Sequence, residues 1–157
     1  MKLLVCDDDI STIDVIQSQL DLGQLGINRF FRAYNGKMAE EIIDKEEPDL
    51  ILCDIDMPIF NGIHVLEYAY QKGKDIEFSF LTCYEKFEYA QKAIQYGATS
   101  YLTKPFQLEE VKACIQKMAA NVNKKRLSKS GQNRDDSVLS SIFRQASDGI
   151  LGTNRNI

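Results

Sequence analysis

The residues of this sequence that could do chemistry are carboxylates, a hydroxyl and an ammonium group that stand at the ends of short apolar runs. They are Asp7, Asp8, Asp9, Asp54, Asp56, Thr82 and Lys104. Carboxylates held close together cannot all stay ionised without compensation. A divalent cation would compensate them, and ligands that are all oxygen favour Mg²⁺, with Mn²⁺ as a substitute.

A site of this composition is suited to hold a phosphoryl group. Mg²⁺ keeps several waters and readily accepts a phosphate oxygen, Lys104 provides a second cation and Thr82 a hydrogen-bond donor. Neither G-x-G-x-x-G nor G-x-x-x-x-G-K-[ST] occurs, so no bound nucleotide is implied. A carboxylate could then be the nucleophile and form an acyl phosphate. Asp54 is the best candidate because it ends the predicted central strand.

The elements that must position these side chains follow from the hydrophobic pattern. Strands are predicted at Lys2–Cys6, Asn28–Ala33, Leu50–Asp54, Phe78–Thr82 and Ser100–Thr103. The first and third are continuously apolar, which is typical of parallel strands that are covered on both faces. Right-handed crossovers then give an α/β fold with (βα)₅ order and a doubly wound, five-stranded parallel sheet. Its functional crevice lies at the carboxyl ends of the strands.

Amphipathic segments between the strands predict five helices. The first is expected to begin with Ser11 as cap and Asp14 in the capping-box position, although Asp9 could instead cap it or face water. The second is expected to end before Glu47-Pro48, because proline disfavours helix in the residue ahead of it. The fifth carries apolar residues from Leu108 to Val122.

This constellation resembles the receiver domain of a two-component response regulator. The resemblance covers about residues 1–122. It depends on these features: Asp7-Asp8, Asp54, Met57-Pro58, Gly62, Thr82, Gly97-Ala98, Tyr101 and Lys104-Pro105. Any one of them alone would be weak, but together they are highly specific. The fold that the resemblance implies is the flavodoxin or CheY-like one.

The resemblance also implies a role for each site residue. Asp54 is the phosphoacceptor. The Mg²⁺ ligands are the side chains of Asp8 and Asp54 and the main-chain carbonyl of Asp56, with Asp7 acting largely through water. Thr82, Tyr101 and Lys104 are the residues that contact the phosphoryl group or switch in response to it. The Lys104-Pro105 bond is expected to be cis.

A finer resemblance concerns the output of the protein. Residues 84–102, beginning Tyr84-Glu85-Lys86-Phe87, resemble the receivers joined to AraC-type DNA-binding domains. The DNA-binding domain itself is not expected in this chain. Residues 123–157 are predicted to be a basic linker or the start of a further region, in which Ser137–Ala146 could form a short helix. The implied partners are a sensor histidine kinase, a second copy in a phosphorylation-dependent homodimer, and DNA only through an appended domain.

Two alternatives to this function remain. A haloacid-dehalogenase-type phosphatase would use Asp7 as nucleophile and Asp9 as the second carboxylate, but Ile10 and Ser11 stand where that family has Gly and Thr. A pseudo-receiver would bind partners without phosphorylation, and the complete set of site residues gives no reason to prefer it. The receiver resemblance therefore implies a signalling domain rather than an enzyme.

Composition narrows the cellular setting. Residues 1–120 carry a net charge of −8 and residues 121–157 one of +4, so the first region would repel nucleic acid. No apolar run has the length of a membrane span, and the acidic start is unlike a signal peptide. The cysteines Cys6, Cys53, Cys83 and Cys114 form no C-x-x-C pair, which indicates reduced thiols in a cytoplasmic protein.

Overall fold

The sheet places all the predicted strand ends on one edge. A computed structural model describes residues 1–73, 75–83 and 86–135, with side chains through residue 129. It contains one five-stranded parallel sheet in the order β2-β1-β3-β4-β5. The strands are β1 (Lys2–Cys6), β2 (Arg29–Ala33), β3 (Leu50–Cys53), β4 (Glu77–Thr82) and β5 (Ser100–Thr103). The predicted doubly wound α/β fold is thereby confirmed, with strand bounds that differ from the prediction by at most one residue.

Within the residues that the structure describes, five helices alternate with the strands. They are α1 (Ile10–Gln19), α2 (Gly36–Glu46), α3 (Gly62–Gln71), α4 (Phe87–Gln95) and α5 (Leu108–Asp135). The helix α2 ends where Pro48 predicted, and Glu47 follows it in a left-handed conformation with φ of 52°. None of the helices in the described residues combines the length and apolar character that crossing a bilayer requires.

The sheet separates two apolar cores. One contains alternate residues of the central strands, such as Leu4 and Ile51, together with the buried faces of α2 and α3. The other contains Leu3, Leu50 and the buried residues of α1 and α5, including Ile115. Since strands β1 and β3 contribute to both, every one of their side chains except that of Lys2 is buried. This explains their continuously apolar sequence.

The start of α1 differs from the prediction that Ser11 is its cap. Asp9, not Ser11, is the N-cap, and its side chain accepts hydrogen bonds from the backbone N–H and the hydroxyl of Ser11. Asp9 can do this because α1 begins at Ile10, ahead of the predicted cap Ser11. The alternative role predicted for Asp9, capping, is the one observed. The hydrogen bonds from Ser11 also lower the pKa of the Asp9 carboxyl.

The helix α5 continues beyond the point at which the sequence predicted a linker. It spans 28 residues, and residues 123–135 are helical. The chain divides into two units, with the boundary between Val122 and Asn123. Lysine and arginine have good helix propensity, so a basic composition did not exclude a helix there. The predicted helix at 137–146 lies outside the described residues, and the functional division at residue 122 stays a prediction.

Truncating a fully buried side chain of α5 should be costly. We expect Ile115→Ala to lower the free energy of unfolding by about 2–5 kcal/mol, because Ile115 is fully buried and its loss leaves a cavity. The matched control is Ile94→Ala on α4, where the side chain is 78% exposed, and its effect should stay within about 0.5 kcal/mol. Urea unfolding followed by circular dichroism measures both. Equal losses would contradict the assignment of Ile115 to the core.

Candidate phosphoryl and metal site

Two neighbouring strands deliver Asp7 and Asp54 side by side. The strands β1 and β3 pair in parallel, with Cys6 opposite Cys53, so the residue after each strand emerges at the same edge. The backbone N–H of Asp54 donates to the carbonyl of Cys6 at 2.8 Å and continues the ladder. Both carboxylates are buried, at 1% exposure for Asp7 and 5% for Asp54. Because an aspartate follows each of these paired strands, the two buried carboxylates lie next to each other at the centre of the site.

Asp8 completes a cluster of three carboxylates. Each of Asp7, Asp8 and Asp54 offers an oxygen, and these oxygens lie within 4.8 Å of one another. Asp8 is exposed, whereas the other two carboxylates are not. This donor set fits Mg²⁺, which prefers oxygen ligands and keeps several waters on its open side. The cluster thus meets the chemical requirement for the cation that the sequence predicted.

Lys104 provides the positive charge of the site. It follows β5, and its Nζ lies 2.7 Å from Asp7 Oδ2 and 3.4 Å from Asp54 Oδ2. Its backbone N–H donates to the Thr82 carbonyl at 2.9 Å, which holds it against the end of β4. The Lys104-Pro105 peptide bond is cis. Burial acts to lower the pKa of Lys104, but the hydrogen bond to Asp7 and the charge of Asp54 outweigh it and raise the pKa.

Burial leaves one carboxyl of the cluster poorly compensated. Removal from solvent is the largest influence on Asp7 and raises its pKa from 3.8 to about 6, against the opposing hydrogen bond from Lys104. The Asp7 carboxyl therefore binds a proton more tightly in the folded state than in the unfolded chain. The contribution of this protonated carboxyl to the stability of the fold is largest at low pH. That contribution is lost as the pH rises through about 6. The hydrogen bond and the charge of Lys104 therefore do not fully offset the cost of burying the Asp7 carboxylate.

The remaining predicted site residues surround this cluster. The backbone N–H of Asp56 points to Asp54 Oδ1 at 3.4 Å, while the side chain of Asp56 is exposed. Thr82 is fully buried at the end of β4. Tyr101 lies on β5, partly buried, and its ring packs edge-on against Phe80 with centroids 6.0 Å apart. The structure therefore gathers Asp7, Asp8, Asp54 and Lys104. It places Thr82 on β4, next to β3, and Tyr101 on β5, one strand further out.

Asp9 does not join the carboxylate cluster. One of its oxygens accepts from the backbone N–H of Ser11 at 3.1 Å, and the other accepts from the hydroxyl of Thr12 at 3.3 Å. Its own backbone N–H donates to Asp7 at 2.9 Å. A carboxylate engaged in capping cannot act on a substrate held by Asp7. This geometry gives no support to the phosphatase alternative.

Sequence reasoning missed how the segment between β3 and α3 is held. We refer to residues 54–61 as the β3–α3 loop. Ile59 and Phe60 have φ values of 48° and 71° and large exposed side chains. The Phe60 ring stacks on His64 at a centroid distance of 4.3 Å, and His64 Nδ1 lies 2.6 Å from Glu40. Nothing in the sequence indicates that isoleucine and phenylalanine adopt a conformation that usually favours glycine.

The comparisons with known proteins agree with this geometry. Residues 3–116 match the response regulator receiver domain family, and the chain belongs to that family. It contains the receiver domain of a two-component response regulator, a signalling domain. Receivers of this family bind Mg²⁺ at an acidic pocket and interact with histidine kinases.

Several relatives are of different lengths. The sporulation initiation phosphotransferase F of Bacillus subtilis is 32% identical over 116 residues, which cover 74% of this chain and 91% of the relative. The transcriptional regulatory protein ZraR of Escherichia coli is 32% identical over 123 residues, which cover 78% of this chain but 27% of the relative. The transcriptional regulatory protein YesN of B. subtilis is 26% identical, and the match covers 33% of it. This chain thus spans about a third or less of such regulators.

A solved structure shows the same fold. The receiver domain of AraT, a response regulator from Geobacillus stearothermophilus, superimposes with a TM-score of 0.74 and 26% identity. The match covers 80% of this chain and 97% of that one. Because so much of the solved domain is covered, the likeness extends over the whole receiver fold.

Removing one carboxylate from the cluster should stabilise the ion-free protein. We expect Asp8→Asn to raise the melting temperature by a few degrees in EDTA, because it relieves repulsion with Asp7 and Asp54. Addition of Mg²⁺ should raise the melting temperature of the wild type but much less that of the variant. Differential scanning calorimetry with and without Mg²⁺ measures both effects. A wild type that is indifferent to Mg²⁺ would refute the metal assignment.

Proposed function

We propose that this protein accepts a phosphoryl group on Asp54 from a sensor histidine kinase. The observation that carries the proposal is the buried Asp54 carboxylate, which shares a cluster of oxygens within 4.8 Å with Asp7 and Asp8. Lys104 Nζ contacts both buried members of that cluster. A phosphoryl group on Asp54 would therefore meet one cation from this chain and a second from solution.

The chemistry assigned to Asp54 is nucleophilic. One of its carboxylate oxygens attacks phosphorus, a phosphorus–oxygen bond forms, and the bond from phosphorus to the donor's histidine nitrogen breaks. The electron pair of the broken bond stays with the imidazole, which is left neutral once its protonation is restored. The product on this chain is an acyl phosphate. The chain itself is assigned no further substrate, so we infer a signalling domain and not a dedicated enzyme.

The proposed Mg²⁺ ligands are the side chains of Asp8 and Asp54 and the main-chain carbonyl of Asp56, with Asp7 acting through water. When bound, the cation supplies charge neutralisation for the incoming phosphoryl group. The protein's part is to hold these oxygens in place before the donor arrives, and the burial of Asp7 and Asp54 supports that role. Positioning of this kind accounts for most of the catalysis in phosphoryl transfer.

Lys104 and Thr82 are proposed to respond to the added phosphate oxygens. Lys104 is already held beside Asp54 at 3.4 Å by its contact with Asp7, so its ammonium group can pair with a new phosphate without a large movement. Thr82 ends the strand next to β3, and its hydroxyl gains a phosphate acceptor. Movement of that hydroxyl toward Asp54 would leave space beside β5 that Tyr101 can fill.

The proposed output surface is formed by α4, β5 and α5. Tyr101 is only partly buried, and a depression of about 290 Å³ lies beside it, lined also by Ala90, Ala93 and Ile94. The exposed side chains of Phe87 and Ile94 stand on the same helix. Inward rotation of Tyr101 would change this surface by shifting a population between two states. We propose that a symmetric homodimer forms on it.

The output of the complete protein is proposed to be transcriptional. Relatives such as ZraR and YesN are named as transcriptional regulators and are much longer than this chain. Dimerisation would bring two appended DNA-binding domains, of the AraC type by the sequence resemblance, to two half-sites. Contact with DNA would then run only through the appended domain, with residues 1–122 as receiver and 123–157 leading onward. A cytoplasmic location follows from this proposal.

Asp54 should be the site that is labelled. After treatment with acetyl phosphate and Mg²⁺, we expect intact-mass spectrometry to show one added phosphoryl group on the wild type and none on Asp54→Asn, because the amide is not a competent nucleophile. Asp8→Asn should be labelled at least about tenfold more slowly, since it lacks a metal ligand. Asp9→Asn is the matched control and should be labelled normally.

Two results would contradict the labelling prediction. Labelling of Asp54→Asn to the wild-type extent would place the phosphoryl group on another residue. Steady hydrolysis of a phosphomonoester, lost in Asp9→Asn, would restore the phosphatase alternative.

Lys104→Arg should separate phosphate binding from output. Arginine is a wide planar fork, whereas the space between Asp7 and Asp54 holds a compact ammonium group. With beryllofluoride and Mg²⁺ we expect the wild type to dimerise and the variant to dimerise at least about tenfold more weakly, as measured by sedimentation equilibrium. Mg²⁺ binding should remain. Dimerisation of the variant at wild-type strength would disprove the role of Lys104 in switching.

A further inference from the structure

The first turn of α2 is joined to the β3–α3 loop by two hydrogen bonds. The backbone N–H of Gly36 donates to the Pro58 carbonyl at 3.3 Å, and that of Lys37 donates to the Ile59 carbonyl at 3.1 Å. The first N–H groups of a helix have no partner within the helix. Here the loop that follows Asp54 supplies their acceptors, so α2 and the loop share one set of hydrogen bonds.

The contact leaves no room for a side chain at residue 36. A Cβ atom built on Gly36 would lie 2.6 Å from the Ile59 carbonyl oxygen, 2.6 Å from Phe60 Cβ, and closer still to the Phe60 carbonyl oxygen. Two of these three atoms belong to the backbone, so rotation of a side chain cannot relieve the overlap. The helix or the loop would have to move.

The junction between the loop and α3, at Gly62, is packed just as closely. A Cβ on Gly62 would lie 2.8 Å from Ile55 Cα and closer to the Asp54 carbonyl oxygen. The backbone N–H of Gly62 donates to the Ile55 carbonyl at 2.8 Å, and that of Met57 donates to the same oxygen at 3.1 Å. Because the loop is closely packed at both ends, we expect a displacement of residues 59–60 to move Asp54 and Asp56 as well.

The loop holds an unfavourable conformation at the point of contact. Ile59 and Phe60 both have positive φ, which costs free energy in residues other than glycine. Neither side chain explains the conformation by burial, since they are 56% and 44% exposed. In this conformation the carbonyl of Ile59 faces the N–H group of Lys37 and accepts its hydrogen bond.

We propose that Gly36 is a positioning residue for the phosphoryl site, because its missing side chain lets α2 hold the β3–α3 loop, and with it Asp54 and Asp56, in the geometry that binds Mg²⁺. This inference rests on the proposed function. It assigns to a residue on a helix outside the carboxylate cluster the task of setting the spacing of the metal ligands.

The test is Gly36→Ala, with Gly23→Ala as the matched control. A Cβ on Gly23 would meet nothing closer than 3.8 Å, so that control should bind Mg²⁺ like the wild type. Gly36→Ala should raise the dissociation constant for Mg²⁺ and slow labelling by acetyl phosphate, each by at least about tenfold, since losing the groups that orient metal ligands typically costs about 10- to 100-fold in metal affinity or activity. Backbone amide shifts during a MgCl₂ titration and intact-mass time courses measure the two quantities.

A second variant separates positioning from general destabilisation. Phe60→Gly removes one of the three clashing atoms, and a glycine at residue 60 can change its backbone conformation so that the carbonyl moves away from the added Cβ. Gly36→Ala/Phe60→Gly should therefore bind Mg²⁺ several-fold more tightly than Gly36→Ala alone. If Gly36→Ala does not fold, the double variant must fold and bind Mg²⁺. A double variant that is no better than the single one overturns the inference, as does wild-type Mg²⁺ affinity in Gly36→Ala.

The outcomes also distinguish this inference from the proposed function. If neither the wild type nor Gly23→Ala is labelled on Asp54, the proposed function fails. If both are labelled and Gly36→Ala is labelled at the same rate, only the positioning role of Gly36 fails.

Discussion

The parallel pairing of β1 with β3 is the constraint on which the site depends. It sets Cys6 opposite Cys53, so Asp7 and Asp54 leave the sheet as neighbours, with both carboxylates buried. Two like charges in that position are unfavourable unless a cation joins them. Lys104 bridges the pair from β5, although burial still raises the pKa of Asp7. The unmet charge makes the site receptive to a second cation.

Residues around the carboxylate cluster contribute to the site in different ways. Asp9 turns away to cap α1, which keeps a fourth carboxylate out of the cluster. Thr82 and Lys104 are tied by a backbone hydrogen bond between the ends of β4 and β5, so the two residues proposed to sense phosphate are mechanically linked. Tyr101 lies one strand further out, beside Phe80. A small change at Asp54 can thus reach an exposed surface through neighbouring strands.

The β3–α3 loop is the contact through which, by our proposal, a helix outside the carboxylate cluster shapes the site. The N–H groups of α2 that lack helical partners bind carbonyls of this loop, and close backbone contact at Gly36 sets the distance between helix and loop. Such a contact is sensitive to a single added carbon atom, because backbone atoms cannot rotate away as side chains do. In our proposal for Gly36, a residue outside the carboxylate cluster thereby controls the spacing of the cluster's ligands.

The sequence by itself determined the order of strands and helices and most of the candidate site residues. Continuous apolar runs at 3–6 and 50–53 require strands buried on both faces, and residues that follow parallel strands must gather at one edge. The contact of Lys104 with Asp7, the capping by Asp9 and the left-handed Ile59 and Phe60 were decided only by tertiary structure. Each of these depends on distances between segments far apart in the chain or on local competition for backbone N–H groups. The types and spacing of residues predict which positions are buried, but they do not predict the distances between segments that are far apart in the chain.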